Sequence, residues 1–274
     1  MPNETRGSRR RGPMPAGANV TKRGPGRVRA ATGSRDPGVM GADEPPEREP
    51  PEPGPAGRTP PQPGPAGRTP VEPGPLERQI RFVLEADRLK TVARQSRITD
   101  GTRQENSAEH SWHLALMVLA LGGHAPAGTD LGRVMAMLVV HDLVEIDAGD
   151  LFLYSDSAAH ARQEVAERAA ADRIFALLPG SQAAAARSLW DEFEERRTPE
   201  ARFARALDRL QPMLLNMQTG GGTWVAHDVP LDQVLSKVGL IEEGSAALGG
   251  YARAMIAEAV RRGFLRSVAD PHAG

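Results

Sequence analysis

The sequence predicts an all-α domain over 76–268, behind a Pro/Gly/Arg-rich tail over 1–75 and ahead of a short flexible end over 269–274. Three observations carry this. Eighteen of the 24 prolines lie in the first 75 residues, a composition with too little apolar surface to form a core. From Leu76 onward apolar residues recur at helical spacing. No segment alternates apolar and polar residues in the way a half-buried strand requires.

The tail contains a ten-residue repeat, PEPGPAGRTP over 51–60 followed by PQPGPAGRTP over 61–70. Proline at that density favours extended, polyproline-II-like chain over a packed unit. Beyond it, Ile80, Val83, Leu84, Ala86 and Leu89 mark a first helix, and the polar stretch 95–106 reads as a loop. Asn106 or Ser107 is placed to cap a helix that carries Trp112, Leu116 and Leu119 and stops at Gly122-Gly123. The run 131–146 is apolar nearly all round and reads as one central, buried helix ended by Gly149. Helices follow over 158–178, 181–196 and 199–218, the last with Pro212 as a kink point. Gly220-Gly221-Gly222 reads as a break, either a loop closing over a substrate or a connector. A short helix over 230–238 and a final one over 245–262 complete the domain.

Composition narrows the function classes. The formal net charge is −1, which gives no general attraction to nucleic acid polymers or anionic membranes. There is no cysteine, so thiolate metal sites, disulfides and cysteine nucleophiles are excluded. No apolar run approaches the roughly 20 residues that span a bilayer. Arg9, Arg10 and Arg11 are not followed by an apolar stretch, which argues against a secretory signal. A cytoplasmic location is the expectation.

The chemistry-bearing residues sit on helices. His141-Asp142 lies inside an apolar run, where a carboxylate is costly to desolvate unless it is paired or bound to a cation. His110 stands near the start of the preceding long helix, with His113 one turn on as a rival ligand. Asp208 flanks the apolar stripe Phe203, Leu207, Leu210, Leu214. Each alone also fits an ordinary structural role: a buried His–Asp pair, a surface imidazole, a solvated acid. Together they form a mixed nitrogen and oxygen donor set, suited to one divalent ion among Mn, Fe, Co, Ni, Zn or, less comfortably, Mg.

The pattern His110, His141-Asp142, Asp208 resembles the signature of the HD-domain phosphohydrolase superfamily. Arg88-Leu89-Lys90, Arg94, Glu105-Asn106-Ser107-Ala108-Glu109-His110-Ser111, His141-Asp142-Leu143-Val144-Glu145 and Gly149-Asp150 look like its 5′-deoxynucleotidase branch. The resemblance implies an HD-domain helical bundle. It implies His110, His141, Asp142 and Asp208 as metal ligands and Glu145 as a general acid or base. Asp150 would lie near the sugar and Arg94 would meet the phosphate, as a forked guanidinium suits. Arg97 and Arg103 are weaker candidates for the same task. Where that branch has a Trp after the arginine, this chain has Gln95, so Gln95 becomes a substrate-side residue and the 2′-deoxy preference is not carried over.

The expected reaction is hydrolysis of a small phosphomonoester, a nucleoside or deoxynucleoside 5′-monophosphate. Hydrolysis of another phosphate ester, a dNTP or a cyclic nucleotide, is the nearest alternative. A non-catalytic metal- or nucleotide-binding protein is the alternative from another class. A second metal would need further histidines, and only His124 and His160 lie within plausible reach. A homodimer is expected by analogy.

Overall fold

The computed structural model describes residues 73–266. The expectations for residues 1–72 and 267–274, including the repeat and the C-terminal end, lie outside that range. No described helix is long and apolar enough to cross a membrane.

The first helix, α1 (Pro75–Asp87), starts on the last residue assigned to the tail: Gly74 is its N-cap and Pro75 its first residue, where a missing N–H costs nothing. A 3₁₀ turn, Arg88–Thr91, leads into strand β1 (Ala93–Arg97), which pairs antiparallel with β2 (Gln104–Asn106) through a bulged register. The stretch 95–106 is therefore a hairpin, not a loop. Its alternation is invisible by hydrophobicity because the buried positions are polar, Ser96 and Glu105. Gly101, with φ 70°, and the Asp100 carboxylate, which accepts from Thr102 N and Oγ, make the turn.

Asn106 ends β2 and caps α2 (Ser107–Leu121). Its side chain accepts from Glu109 N at 2.9 Å, and the Glu109 carboxylate accepts from Asn106 N. This reciprocal box fixes the helix that carries His110.

The expected continuous helix over 131–146 is broken at the His-Asp pair. Helix α3 (Leu131–Val140) ends there, His141–Val144 wind as a 3₁₀ turn with all four residues buried, and α4 (Glu145–Ala148) is one turn long. In 3₁₀ winding residues i and i+3 eclipse. Asp142 and Glu145 thereby fall in line on one side. Gly149, at φ 75°, turns the chain out.

Three helices follow: α5 (Ser157–Phe175), α6 (Gly180–Glu195) and α7 (Pro199–Gln218). The buried centre is α7 rather than the 131–146 segment. Phe203, Ala204, Leu207, Leu210 and Met213 are at most 2% exposed, and α7 packs on α3, α6, α9 and α10. The glycine run does not form a loose flap. Gly220, Gly221 and Gly222 all have positive φ, and a Cβ on Gly221 or Gly222 would lie 2.4 Å from Val225 or Asn216 atoms. They make a packed turn into α8 (Gly222–Ala226).

The expected 230–238 helix extends to α9 (Leu231–Gly244), because Val234, Val238 and Ile241 carry one buried face through Gly239. Helix α10 (Ala246–Arg261) closes the bundle. A smaller apolar cluster, Leu89, Leu143, Val144, Ala170, Ile174, Phe175 and Trp190, holds the 3₁₀ turn against α5 and α6.

Close approach of α9 to α7 depends on a glycine. A Cβ at Gly244 would sit 2.3 Å from the Arg202 carbonyl oxygen, whereas one at Gly239 meets nothing within 4 Å. Gly244→Ala should therefore cost about 1–3 kcal/mol by overpacking. Gly239→Ala should be neutral or stabilising by up to about 1 kcal/mol through helix propensity. Urea denaturation of the two variants checks the contrast.

Candidate metal centre

Ligand atoms of His110, His141 and Asp208 lie within 4.8 Å of one another, and all three residues are buried. Among the described residues no other such group forms. The hydrogen bonds on the far side of each ring decide what this cluster wants. His141 Nδ1 is 3.0 Å from the Leu138 carbonyl, an acceptor, so Nδ1 carries the proton. His110 Nδ1 is 3.1 Å from Gln211 Oε1. The Gln211 amide is oriented by donating Nε2–H to Glu105 Oε1 at 2.7 Å, so its oxygen accepts from His110.

Both Nε2 atoms then face the centre as lone pairs. There His110 Nε2 meets Asp208 Oδ1 at 3.1 Å, and His141 Nε2 meets the same oxygen at 3.8 Å and Asp142 Oδ1 at 3.0 Å. His141 Nε2 is buried without a hydrogen-bond partner. Acceptors pointing at acceptors in a desolvated space repel unless a cation lies between them. The donor chemistry thus fits a divalent ion held by two imidazoles and carboxylate oxygen, each ring oriented by an outer partner.

The electrostatics agree. Burial opposes charge on His141, but Asp142 and Asp208 outweigh it and raise its pKa to about 10, so in the absence of another cation a proton is drawn in. Burial likewise opposes charge on Asp142 and Asp208. His141 and Arg94 nevertheless bring Asp142 down to about 2, and Arg209 with the imidazoles holds Asp208 well below the usual carboxylate range.

The HD domain family model matches residues 86–248. The chain belongs to the HD-domain family. Among solved structures this HD-domain chain is similar to a predicted metal-dependent phosphohydrolase from Magnetospirillum magnetotacticum MS-1. They share 51% identity with a TM-score of 0.67, over 70% of this chain and 95% of that one. It is 26% identical over 140 residues to the 5′-deoxynucleotidase HDDC2 of Danio rerio, covering 51% of this chain and 68% of the relative. To the Xenopus laevis 5′-deoxynucleotidase HDDC2 it is 27% identical over 112 residues, 41% of this chain and 54% of the relative. The matched stretch therefore spans about half of the Xenopus protein and two thirds of the zebrafish one.

The other HD-domain positions expected from the sequence are distributed as follows. Asp142 adjoins the cluster, but its Oδ2 accepts from Arg94 Nη1 at 2.9 Å and stands 4.0 Å from His110 Nε2. His113 is outside the cluster and bonds to Gln211 instead. Glu145 is buried and accepts from Ser107 Oγ at 2.5 Å. Burial and the neighbouring Asp142 push its carboxyl well above the usual range. Asp150 Oδ1 lies 3.6 Å from Arg94, and burial raises its carboxyl too.

Arg94 stands among four carboxylates, Asp142, Asp150, Glu145 at 3.8 Å and Glu105 at 3.9 Å. Burial disfavours its charge, yet Asp142, Glu145, Asp150 and Asp208 raise its pKa above that of an ordinary arginine. Gln95 and His160 line the cavity that opens beside the cluster; Arg97, Arg103 and His124 do not. Arg97 donates to the Gly101 carbonyl and Arg103 forks onto Glu109.

Sequence reasoning missed Gln211, Ser107, Arg205 and Arg209. Gln211 and Arg205 stand three residues either side of Asp208 on α7, spacings that share a helix face. That was the available signal.

The cavity has a volume of about 840 Å³. Its walls come from the hairpin, the 3₁₀ turn, the 150–154 segment, α5, α6 and α7, with Phe152 and Tyr154 as an aromatic pair on one side. Glu167 on α5 also lines it. Burial, with Glu194 nearby and against the Gln163 hydrogen bond, raises its pKa from 4.5 to about 7. The folded chain then binds that proton more tightly than the unfolded chain, so this group lowers stability as pH rises between those values. Glu167→Gln should accordingly raise Tm over wild type near pH 8 and leave the difference near zero at about pH 4. An offset of equal size at both pH values would show that the raised carboxyl is not its source.

Proposed function

We propose that this HD-domain metal-dependent phosphohydrolase cleaves a phosphomonoester, a nucleoside or deoxynucleoside 5′-monophosphate, to nucleoside and phosphate. The observation that carries the reading is the convergence of His110 Nε2, His141 Nε2 and Asp208 oxygen at the head of a cavity large enough for a nucleotide. The names of the Magnetospirillum, zebrafish and Xenopus relatives support it.

His110, His141, Asp142 and Asp208 would hold the ion, with Asp142 sharing its second oxygen with Arg94. A divalent ion there supplies Lewis-acid polarisation of a phosphoryl oxygen and lowers the pKa of a nearby water. Its identity among Mn, Co, Fe, Ni, Zn and Mg is left to experiment.

Glu145 is the acid–base residue of the reading. It follows the 3₁₀ turn in line with Asp142, Ser107 fixes one of its oxygens, and burial beside Asp142 pushes its carboxyl above the usual range, the direction a general acid needs. Arg94 offsets the four carboxylates that would otherwise repel a phosphate dianion. With its hydrogen bond given to Asp142, it is better suited to that task than to gripping the phosphate alone. Asp150, which lines the cavity together with Gln95, is assigned to the sugar side with it. Phe152 and Tyr154 offer an apolar wall of the kind a base packs on. A homodimer is part of the same proposal; Trp112, Leu116 and Leu119 leave an exposed apolar face on α2 that such a contact would cover.

The test is a panel of nucleoside mono- and triphosphates and cyclic nucleotides crossed with the six metals, read by phosphate release. Monophosphates should turn over best. Absence of turnover on every phosphate ester would overturn the enzyme reading. Asp208→Asn and Asp142→Ala should lose bound metal and activity together, measured by metal analysis. Gln211→Leu should keep the ligands but weaken metal binding about 10–100-fold, because the His110 proton is no longer directed away from the centre.

A further inference from the structure

We infer that Arg205 and Arg209 form the phosphate-binding pair of this site. Both guanidiniums line the cavity, and both side chains are only 14% exposed. Their nearest acid is the metal-side carboxylate itself: Asp208 Oδ2 is 3.7 Å from Arg205 Nη1 and 3.6 Å from Arg209 Nη1. Arg205 also has Glu194 at 3.9 Å. None of these distances is a hydrogen bond. Among the described residues neither guanidinium donates to a hydrogen-bond acceptor, and both Nε atoms are buried without a partner.

Two largely desolvated cations beside one carboxylate, with both Nε donors buried and unmet, are costly to keep. The cost has a function if an anion joins them. Asp208 defines where that anion would sit. Its Oδ1 faces the imidazoles and its Oδ2 faces the arginines, so a tetrahedral anion beside it can offer oxygen to the ion on one side and to both guanidiniums on the other.

Arg205 is also held in place for this. Its guanidinium lies 5.3 Å over the Phe193 ring, and Phe193 packs edge-on against His141 at 4.9 Å. Arg94, by contrast, is already committed to Asp142. The pair fits a phosphate dianion, whose oxygens match paired N–H donors. The inference rests on the proposed reaction for the phosphoryl group's fate, but not for the anion site itself.

The experiment titrates inorganic phosphate into the full chain by calorimetry, with metal bound and after chelation. It compares wild type with Arg205→Gln, Arg209→Gln and the charge-keeping Arg205→Lys and Arg209→Lys. Wild type should bind phosphate in both states. Each Gln variant should lose about tenfold or more in affinity, and each Lys variant about threefold or more, since the fork is lost.

Absence of phosphate binding by wild type overturns the inference. So does wild-type affinity in the folded Lys variants, which settles the matter if the Gln variants fail to fold. Arginine-dependent phosphate binding without turnover of any ester sinks the proposed reaction and leaves the anion site standing. Turnover of a monophosphate with KM and phosphate affinity unchanged in both arginine variants does the reverse.

Discussion

The site depends on where two protons are not. The Leu138 carbonyl and Gln211 Oε1 each accept a hydrogen bond from a histidine Nδ1–H, which turns both Nε2 atoms toward the oxygens of Asp142 and Asp208. Everything else around the centre serves or answers that confrontation. The Glu105–Gln211 bond orients the amide, the capping box at Asn106 fixes the helix that holds His110, and the 3₁₀ turn lowers His141 and Asp142 into the same space. A cluster of acceptors arranged this way draws in positive charge, a proton or a metal ion, and this ties the local geometry to cation binding more firmly than the ligand types alone.

Helix α7 carries the burden on the other side. It is the most buried helix of the bundle, yet Arg205, Asp208 and Arg209 face the cavity from it, and Gln211 is buried against His110. Its apolar face packs on α3, α9 and α10, while its polar face projects one carboxylate flanked by two guanidiniums. Pro212 adds to this. It cannot donate to the carbonyl of Asp208, so the backbone just where the ligand stands is released from the regular ladder. Stability and chemistry share one helix, and the close seat of Gly244 against it shows how little room that leaves.

How much of this was legible in the sequence varied with the physical signal. His110, His141, Asp142, Asp208 and Glu145 could be picked out because ionisable residues in apolar helical runs are expensive and because their order matches a family pattern. The N-cap at Asn106 and the start of α7 at Pro199 follow local rules that tertiary context seldom overrides. The hairpin was missed because its buried positions are Ser96 and Glu105, so hydrophobic periodicity had nothing to report. The break after Val140 was missed because a 3₁₀ turn and an α-helix share the same apolar composition. Arg205 and Arg209 carry no signal of their own, because arginines on an amphipathic helix are ordinarily solvated. Only the three-dimensional neighbourhood shows that their donors are left without acceptors.

Two of the proposed ligands, His110 and Asp208, are separated by 98 positions in the chain, and His141 arrives from a third segment. No partly folded piece contains the donor set. Whatever free energy an ion contributes is therefore returned only by the complete fold, in proportion to the logarithm of its free concentration. Metal supply would then act as a quality check on the chain itself. Molecules with a misassembled hairpin or a misplaced α7 would compete poorly for the ion and remain the ones most open to proteolysis.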